Sequence, residues 1–187
     1  MSSKQRTYNL SDLFQIVVET KPDDEALVCG ERRLTFRQIE ERATKLALWL
    51  RGKGVGAGDT VGIHAFNCTE YVEICFAAFK LKAIPVNVNY RYTSDELRYL
   101  YDNAELKALI YEAELETQNL GALSAAPGLR AIARLHGTGQ PGIAGAMNYE
   151  DALTAASGSL DDFLFNDTAT TEIYTGGTTG MPKGVIW

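Results

Sequence analysis

Apolar residues recur along the chain in two patterns that alternate with each other. Residues 36–50 place an apolar residue every three or four positions, which predicts an amphipathic helix. Residues 60–65, 83–88 and 108–111 are short, nearly continuous apolar runs, typical of strands that are buried on both faces of a sheet. Because strands and helices exchange regularly, we expect an α/β fold with a mostly parallel sheet flanked by helices.

Capping residues mark where several of these helices begin. Thr35 is followed three positions later by Gln38, a spacing that predicts a capping box. Asn9 or Ser11 is a suitable N-cap for an earlier helix over residues 9–19. The remaining predicted elements are a hairpin over residues 26–35, helices over residues 70–81 and 93–101, and a weaker strand over residues 130–133. Residues 121–158 are expected to be mainly a surface connection, with a short helix over residues 149–155.

Composition and charge exclude several classes of function. The net charge of -6 argues against nucleic acid as a partner, because such binding relies on clustered Lys and Arg. No apolar run approaches the roughly 20 residues of a transmembrane helix, and the polar N-terminus does not resemble a signal peptide, so a cytoplasmic location is expected. Cys29, Cys68 and Cys75 lack metal-ligand spacing, which predicts free thiols and no metal site.

The two ends of the chain suggest how the domain is organised. Residues 1–8 are polar and predict a flexible N-terminus, whereas residues 9–187 carry the patterns of one domain. The sequence stops at residues 185–187, an apolar run with neither a cap nor a turn. We therefore expect residues 9–187 to be part of a larger N-terminal domain.

Residues 174–184 carry the composition with the clearest chemical meaning. Their sequence is Tyr-Thr-Gly-Gly-Thr-Thr-Gly-Met-Pro-Lys-Gly. Glycines allow successive backbone N–H groups to surround an anion, threonine hydroxyls add donors, and Lys183 supplies a positive charge. The plain alternative is a Gly/Thr turn between two strands. It is not a standard P-loop, because Pro182 precedes the lysine and Gly184 follows it.

This loop resembles the phosphate-binding motif of the adenylate-forming superfamily, which includes acyl-CoA synthetases, luciferases and the adenylation domains of peptide synthetases. Residues 34–39, 58–63, 79–86 and 87–92 also look like segments of that family, although Gln38 stands where an acidic residue is usual. The form of residues 87–92, Asn-Val-Asn-Tyr-Arg-Tyr, is most similar to bacterial fatty-acyl- and steroid-acyl-CoA synthetases. The resemblance covers roughly residues 8–187.

The resemblance implies a reaction and a set of ligands. In such enzymes a carboxylate attacks the α-phosphorus of ATP, pyrophosphate leaves, and the acyl-adenylate then reacts with the thiol of CoA, so ATP, Mg²⁺ and CoA are the expected cofactors. A catalytic lysine, a magnesium-binding glutamate and the acyl pocket lie further along those enzymes, so no catalytic residue is assigned here. The residues expected to hold the ATP phosphates are Thr175, Gly176, Gly177, Thr178, Thr179, Gly180 and Lys183.

Three other functions are compatible with the same residues. The chain could belong to an adenylation domain that loads a carrier protein, it could be an inactive truncated or chimeric product, or it could be a bare nucleotide-binding module. A following carrier module would distinguish the first of these from an acyl-CoA synthetase.

No catalytic role is assigned to the other polar residues. His64 lies within an apolar strand and is expected to be a hydrogen-bonded core histidine. His136 lies in a glycine-rich loop with no evident partner. Asn87, Asn89 and Arg91 follow a strand end, where α/β folds often place ligand contacts, and a structural turn is an equally open interpretation.

Residues 166–172 do not fit the pattern around them. The sequence Asn-Asp-Thr-Ala-Thr-Thr-Glu separates residues 162–165, Asp-Phe-Leu-Phe, where a buried strand is expected to begin, from the loop. Polar groups in such a strand would be buried without partners. Residues 166–175 are also the translation of AATGATACGGCGACCACCGAGATCTACAC, a short-read sequencing adapter. We interpret residues 166–172 as an artefactual insertion; a natural polar loop is the alternative.

We predict that sequencing the locus by a second chemistry will read Phe165 directly into Ile173. Removing the seven residues restores the apolar strand Phe-Leu-Phe-Ile-Tyr that leads into the loop. Recovery of the same seven codons from genomic DNA would show instead that the insertion is natural.

Overall fold

The computed structural model describes residues 9–158, together with the backbone of residues 172–175 and 183–186. The predicted flexible N-terminus and nearly all of the suspected insertion lie outside the described residues. The helices are α1 Leu10–Thr20, α2 Phe36–Gly52, α3 Thr69–Lys80, α4 Ser94–Asn103, α5 Glu116–Leu120 and α6 Tyr149–Thr154. The strands are β1 Glu25–Cys29, β2 Arg32–Thr35, β3 Thr60–His64, β4 Ile84–Asn87, β5 Ala108–Glu112, β6 Ala131–Leu135, β7 Met147–Asn148, β8 Glu172–Thr175 and β9 Lys183–Ile186.

The main sheet confirms the predicted α/β class. Within the described residues its strand order is β7-β6-β5-β3-β4-β8-β9. Every neighbouring pair from β7 to β8 is parallel, and only β9 runs antiparallel, against β8. Because β4 and β5 lie on opposite sides of β3, the order reverses there, which defines a switch point at the carboxyl ends of β3 and β5.

Alternate residues of the central strands enter two separate cores. Ile63 and Ile110 pack on the face covered by α2, α3 and α6. Leu109 and Tyr111 pack on the other face, with Leu97 of α4. Both faces are therefore covered, which explains why the strands read as continuous apolar runs.

The helix caps agree with the sequence in detail. Thr35 and Gln38 form the predicted capping box at the start of α2. At the start of α1 the cap is Asn9 rather than Ser11: the Asn9 Oδ1 accepts a hydrogen bond from the Ser11 backbone N–H at 2.5 Å, and the Asp12 carboxylate accepts one from the Asn9 N–H in return. The predicted hairpin is also confirmed, as β1 pairs antiparallel with β2.

The region between residues 121 and 158 is more ordered than a surface connection. The weak strand predicted at residues 130–133 is the five-residue β6, fully paired with β5. Ile143 is 1% exposed and belongs to the α4-side core. The apolar pattern did not predict this packing, because the apolar residues of the region are few and widely spaced. The short helix predicted at residues 149–155 is α6.

Helix α3 buries polar residues that the apolar pattern did not indicate. The apolar positions of the predicted helix over residues 70–81 suggest that Tyr71 and Cys75 face inward, but both are only half-buried. Glu70 and Glu73 are 3% and 0% exposed. A buried carboxylate is tolerated only with hydrogen-bonding partners, and these come from other elements of the fold.

Glu73 lies where four elements meet. Its Oε1 accepts a hydrogen bond from Arg42 Nε of α2 at 2.8 Å, and its Oε2 accepts one from the Tyr149 hydroxyl of α6 at 2.9 Å. The Arg32 guanidinium of β2 lies 3.7 Å from Oε1. Arg42 also donates to both oxygens of Glu150 at 3.0 and 2.6 Å. Burial acts to lower the pKa of Arg42, but the Glu150 and Glu73 carboxylates raise it above its usual value.

We predict that Glu73→Ala lowers the free energy of unfolding by about 3–5 kcal/mol, because it leaves the half-buried Arg42 guanidinium and the buried Tyr149 hydroxyl without their buried acceptor. Glu150 supplies a matched control, since it pairs with the same guanidinium but its side chain is 64% exposed. Glu150→Ala should cost about 1 kcal/mol or less. Urea unfolding measures both; equal losses for the two variants would show that the burial of Glu73 is unimportant.

In the described part of the chain, no helix is both long enough and apolar enough to cross a membrane.

Candidate functional site

The parallel strands bring several polar segments to one edge of the sheet. Strands β3, β4, β5, β6 and β8 run in the same direction, so the residues that follow each of them meet at the carboxyl edge. In open α/β sheets this edge is where ligands bind.

The predicted phosphate loop begins at this edge. Strand β8 pairs with β4, with Tyr174 in register with Val86, and Thr175 is therefore the last β8 residue at the carboxyl edge. Strand β9 returns antiparallel, with Lys183 opposite Thr175, so residues 176–182 connect the two strands of a hairpin. This site lies two strands from the switch point, on the side of β4 away from β3.

The predicted site residues are only partly described. Thr175 and Lys183 are described by their backbone, which places them opposite each other at the base of the hairpin. Gly176, Gly177, Thr178, Thr179 and Gly180 lie outside the described residues, so their role stays a prediction. The lead-in strand predicted at residues 162–165 also lies outside them, and Glu172, the last residue of the suspected insertion, is the first residue of β8.

The segment after β4 forms a turn at the carboxyl edge of the sheet. The Asn89 Oδ1 accepts a hydrogen bond from the Arg91 backbone N–H at 3.0 Å, and the Asn89 carbonyl accepts one from the Tyr92 N–H at 3.0 Å. The turn interpretation therefore holds for Asn89. Asn87 and Arg91 are exposed at the same edge.

His64 is the hydrogen-bonded core histidine that the sequence predicted. It is 0% exposed, and its Nδ1 lies 3.1 Å from Asn119 Oδ1, which also accepts a hydrogen bond from the Tyr101 hydroxyl. Since that oxygen is an acceptor, the hydrogen-bond network assigns the proton to Nδ1. Burial lowers the pKa of His64, and the hydrogen bond to Asn119 opposes this only in part.

His136 has partners, contrary to the expectation from its glycine-rich surroundings. Its Nδ1 lies 2.9 and 3.0 Å from the two oxygens of Glu112, and its Nε2 lies 3.4 Å from Glu70 Oε2. Partial burial acts to lower the pKa of His136, but the Glu112 and Glu70 carboxylates raise it above its usual value. Arg32 in turn pairs with Glu70.

Sequence reasoning missed this group at the switch point. Glu112 is the last residue of β5, His136 follows β6, and Glu70 lies in the first turn of α3, so only the order of the strands brings the three residues together. One signal was available: Glu112 ends an otherwise apolar strand, where the carboxyl edge is reached. Because the positive charges of Arg32 and of protonated His136 offset the negative charges of the Glu70 and Glu112 carboxylates, we regard the group as structural.

Metal and thiol chemistry receives no support from the described residues. They contain no group of three or more His, Cys, Asp or Glu side chains that could hold a metal ion. Cys29, Cys68 and Cys75 are free thiols, as predicted. Burial raises the pKa of Cys68 and of Cys75 to about 12, which keeps both thiols protonated at neutral pH.

The described residues form a mostly parallel α/β sheet covered by helices on both faces, with the β8–β9 hairpin strands at one side. The family model described as AMP-binding enzyme matches residues 14–187. The chain belongs to this family of AMP-binding enzymes.

Several relatives carry the names of CoA ligases. The chain is 41% identical to the 3-oxocholest-4-en-26-oate–CoA ligase of Rhodococcus rhodochrous over 96% of its own length and 33% of the relative. It is 36% identical to the medium-chain acyl-CoA ligase Mig of Mycobacterium avium, covering 100% of the chain and 36% of that relative. The chain thus spans about a third of the length of these proteins.

A solved structure supports the same fold. The anthranilate CoA ligase AuaEII, crystallised with anthranoyl-AMP, superposes with a TM-score of 0.84 at 26% identity. The match covers 97% of this chain and 35% of that one. The described architecture is therefore that of an N-terminal part of such a ligase.

We predict that the two histidines of the chain titrate on opposite sides of the usual value of about 6.5. His136, whose pKa is raised, stabilises the fold fully below pH 6.5 and loses that contribution as the pH rises through its folded pKa. His64, whose pKa is lowered, stabilises the fold above pH 6.5, and this contribution is lost as the pH falls toward its folded pKa.

NMR of the imidazole resonances measures both midpoints, and the variants His136→Gln and His64→Gln assign them. The same direction of shift for both residues would contradict the structure.

Proposed function

We propose that the protein containing this chain activates a carboxylic acid with ATP to an acyl-adenylate and transfers the acyl group to CoA. The role of residues 175–183 is to hold the ATP phosphates. The hairpin base formed by Thr175 and Lys183 at the carboxyl edge is the observation that carries this proposal, together with the glycine and threonine composition of the connection.

The hairpin geometry suits a loop that grips an anion. The seven residues 176–182 are tethered at both ends by paired strands, which reduces the conformational entropy lost when the loop closes on a ligand. Backbone N–H groups of glycines approach phosphate oxygens closely, and Lys183 adds a charge that offsets those of the polyphosphate. Catalysis of this kind depends on positioning and on charge neutralisation.

The proposed acid is a fatty acid or a related acyl acid. Support comes from the relatives, whose names specify medium-chain acyl groups and a steroid side-chain acid. ATP, Mg²⁺ and CoA are then the cofactors, with Mg²⁺ entering on the ATP.

A carrier protein as the acyl acceptor, and an inactive product, are the two competing proposals. The identity to CoA ligases favours CoA over a carrier protein. The family's helper lysine is expected outside residues 1–187, so we expect the isolated chain to show no turnover.

We predict that the product of the complete gene catalyses pyrophosphate exchange into ATP that depends on a medium- or long-chain fatty acid, and that Lys183→Ala lowers this rate about 100-fold. The reason is the loss of the positive charge proposed to neutralise the phosphates. Radiolabelled pyrophosphate measures the exchange.

Lys21→Ala is the control, because Lys21 is 65% exposed and pairs only at the surface with Asp24. It removes the same charge away from the hairpin, so the rate should not change. Exchange that is absent for fatty and steroid acids but present for amino acids would favour the carrier-protein alternative. Exchange unaffected by Lys183→Ala would overturn the role of the loop.

A further inference from the structure

We propose that His136 is a pH-sensitive latch, whose protonated ring holds residues 136–142 across the switch point and whose neutral ring releases them. We call residues 136–142, which follow β6, the strap. The latch is independent of the proposed function, because it involves only described residues outside the β8–β9 hairpin.

The His136 ring connects segments that follow three neighbouring strands. Its Nδ1 lies 2.9 and 3.0 Å from the two oxygens of Glu112, the last residue of β5, and its Nε2 lies 3.4 Å from Glu70 Oε2. Glu70 lies in the first turn of α3, the helix that follows β3. Because β6, β5 and β3 are neighbours in the sheet, these contacts cross the switch point at the carboxyl edge.

The positions of the two carboxylates require two donors on the ring. A neutral imidazole carries one N–H, whereas an imidazolium carries two. Glu112 and Glu70 are 5% and 3% exposed, so water does not readily replace a missing donor. When the proton on Nε2 is lost, the lone pair of Nε2 faces Glu70 Oε2, and the two acceptors repel each other. The observed arrangement is therefore that of the charged ring.

The backbone conformation at His136 also depends on these contacts. Its φ of 52° lies in the left-handed region, which a residue with a side chain rarely adopts unless its surroundings hold it there. The next residue, Gly137, leaves no room for a side chain, since a Cβ there would lie 2.2 Å from Nε of the buried Arg134. Release of the ring therefore also allows the backbone to leave an unfavourable conformation.

The rest of the strap is held by a second anchor that does not titrate near neutral pH. The Arg134 guanidinium donates hydrogen bonds to the carbonyls of residues 138–140 at 3.0, 2.6 and 3.3 Å. The Gly142 backbone N–H donates one to Glu116 Oε2 at 3.1 Å. A hydrogen bond from the Tyr111 hydroxyl is the main cause that lowers the pKa of Glu116, and arginine stays charged. Only the His136 end of the strap is therefore sensitive to pH.

The other ionisable groups around the ring keep their charge state near neutral pH. Arg32 of β2 pairs with Glu70 and stays positive, and burial raises the pKa of the Cys68 thiol to about 12. Partial burial acts to lower the pKa of His136, but the Glu112 and Glu70 carboxylates raise it above its usual value of about 6.5. The latch is therefore fully closed below pH 6.5 and opens as the pH rises through the folded pKa.

Hydrogen–deuterium exchange of the complete gene product, followed by mass spectrometry on peptides that cover the strap, tests the latch. After correction for the intrinsic effect of pH on exchange, we expect the protection of the strap to fall about tenfold as the pH rises through the folded pKa of His136. The physical reason is the loss of a charge-assisted hydrogen bond. Peptides from α2 should keep their protection, and the midpoint of the fall should equal the NMR titration midpoint of His136.

Two variants identify the groups that form the latch. His136→Asn removes the charge but keeps a residue that tolerates the left-handed backbone, so the strap should be loosened at every pH. Glu112→Gln keeps the shape of the side chain but removes a negative charge, so it should lower the midpoints of both the protection and the His136 titration. Glu114→Gln is the matched control, since it removes the same charge from a nearby exposed side chain and should change neither midpoint.

Protection of the wild-type strap that does not depend on pH would overturn the latch. The same conclusion would follow if His136→Asn lost protection with pH as the wild type does, or if the strap and α2 lost it equally, which indicates global unfolding. If His136→Asn does not fold, Glu112→Gln decides: a lowered protection midpoint supports the latch, and an unchanged one overturns it.

Discussion

The ion pair between the buried Glu73 and the half-buried Arg42 is the interaction on which the arrangement of this domain depends. Glu73 is 0% exposed, so its charge must be neutralised and hydrogen-bonded within the protein. Its partners lie on α2 and α6, with Arg32 of β2 nearby, and helix α3 is thereby held in one position against three other elements. Apolar packing alone is compatible with several rotations of α3 about its own axis. Hydrogen bonds are directional, so they are compatible with far fewer.

The carboxyl edge of the sheet separates two kinds of polar chemistry. At the switch point between β3 and β5, the carboxylates of Glu70 and Glu112 are engaged by His136 and Arg32, and the group is internally neutralised. In the turn after β4, by contrast, Arg91 is exposed and its guanidinium contacts the Tyr90 ring.

Much of the fold could be predicted because its determinants are local. The Thr35 capping box, the β1–β2 hairpin and the buried strands β3 to β5 each follow from residues within one element. The errors have a common cause. His136 was assigned no partner, and Glu73 was not recognised as buried, because their partners are 24 or more residues away in sequence. The spacing of apolar residues along the chain carries no information about contacts between residues so far apart in sequence.

By itself, the sequence determined the α/β class, the family and the composition of the phosphate loop, because propensities, caps and glycine-rich motifs act over a few neighbouring residues. Only the tertiary structure decided that β8 pairs with β4 and β9 with β8, which sets Lys183 opposite Thr175. It also decided that the two histidines have opposite pKa shifts, since His64 meets only neutral groups in a core and His136 meets two carboxylates at an edge. The physical reason is that burial and electrostatic pairing depend on strand order, and strand order is set by the packing of the whole sheet.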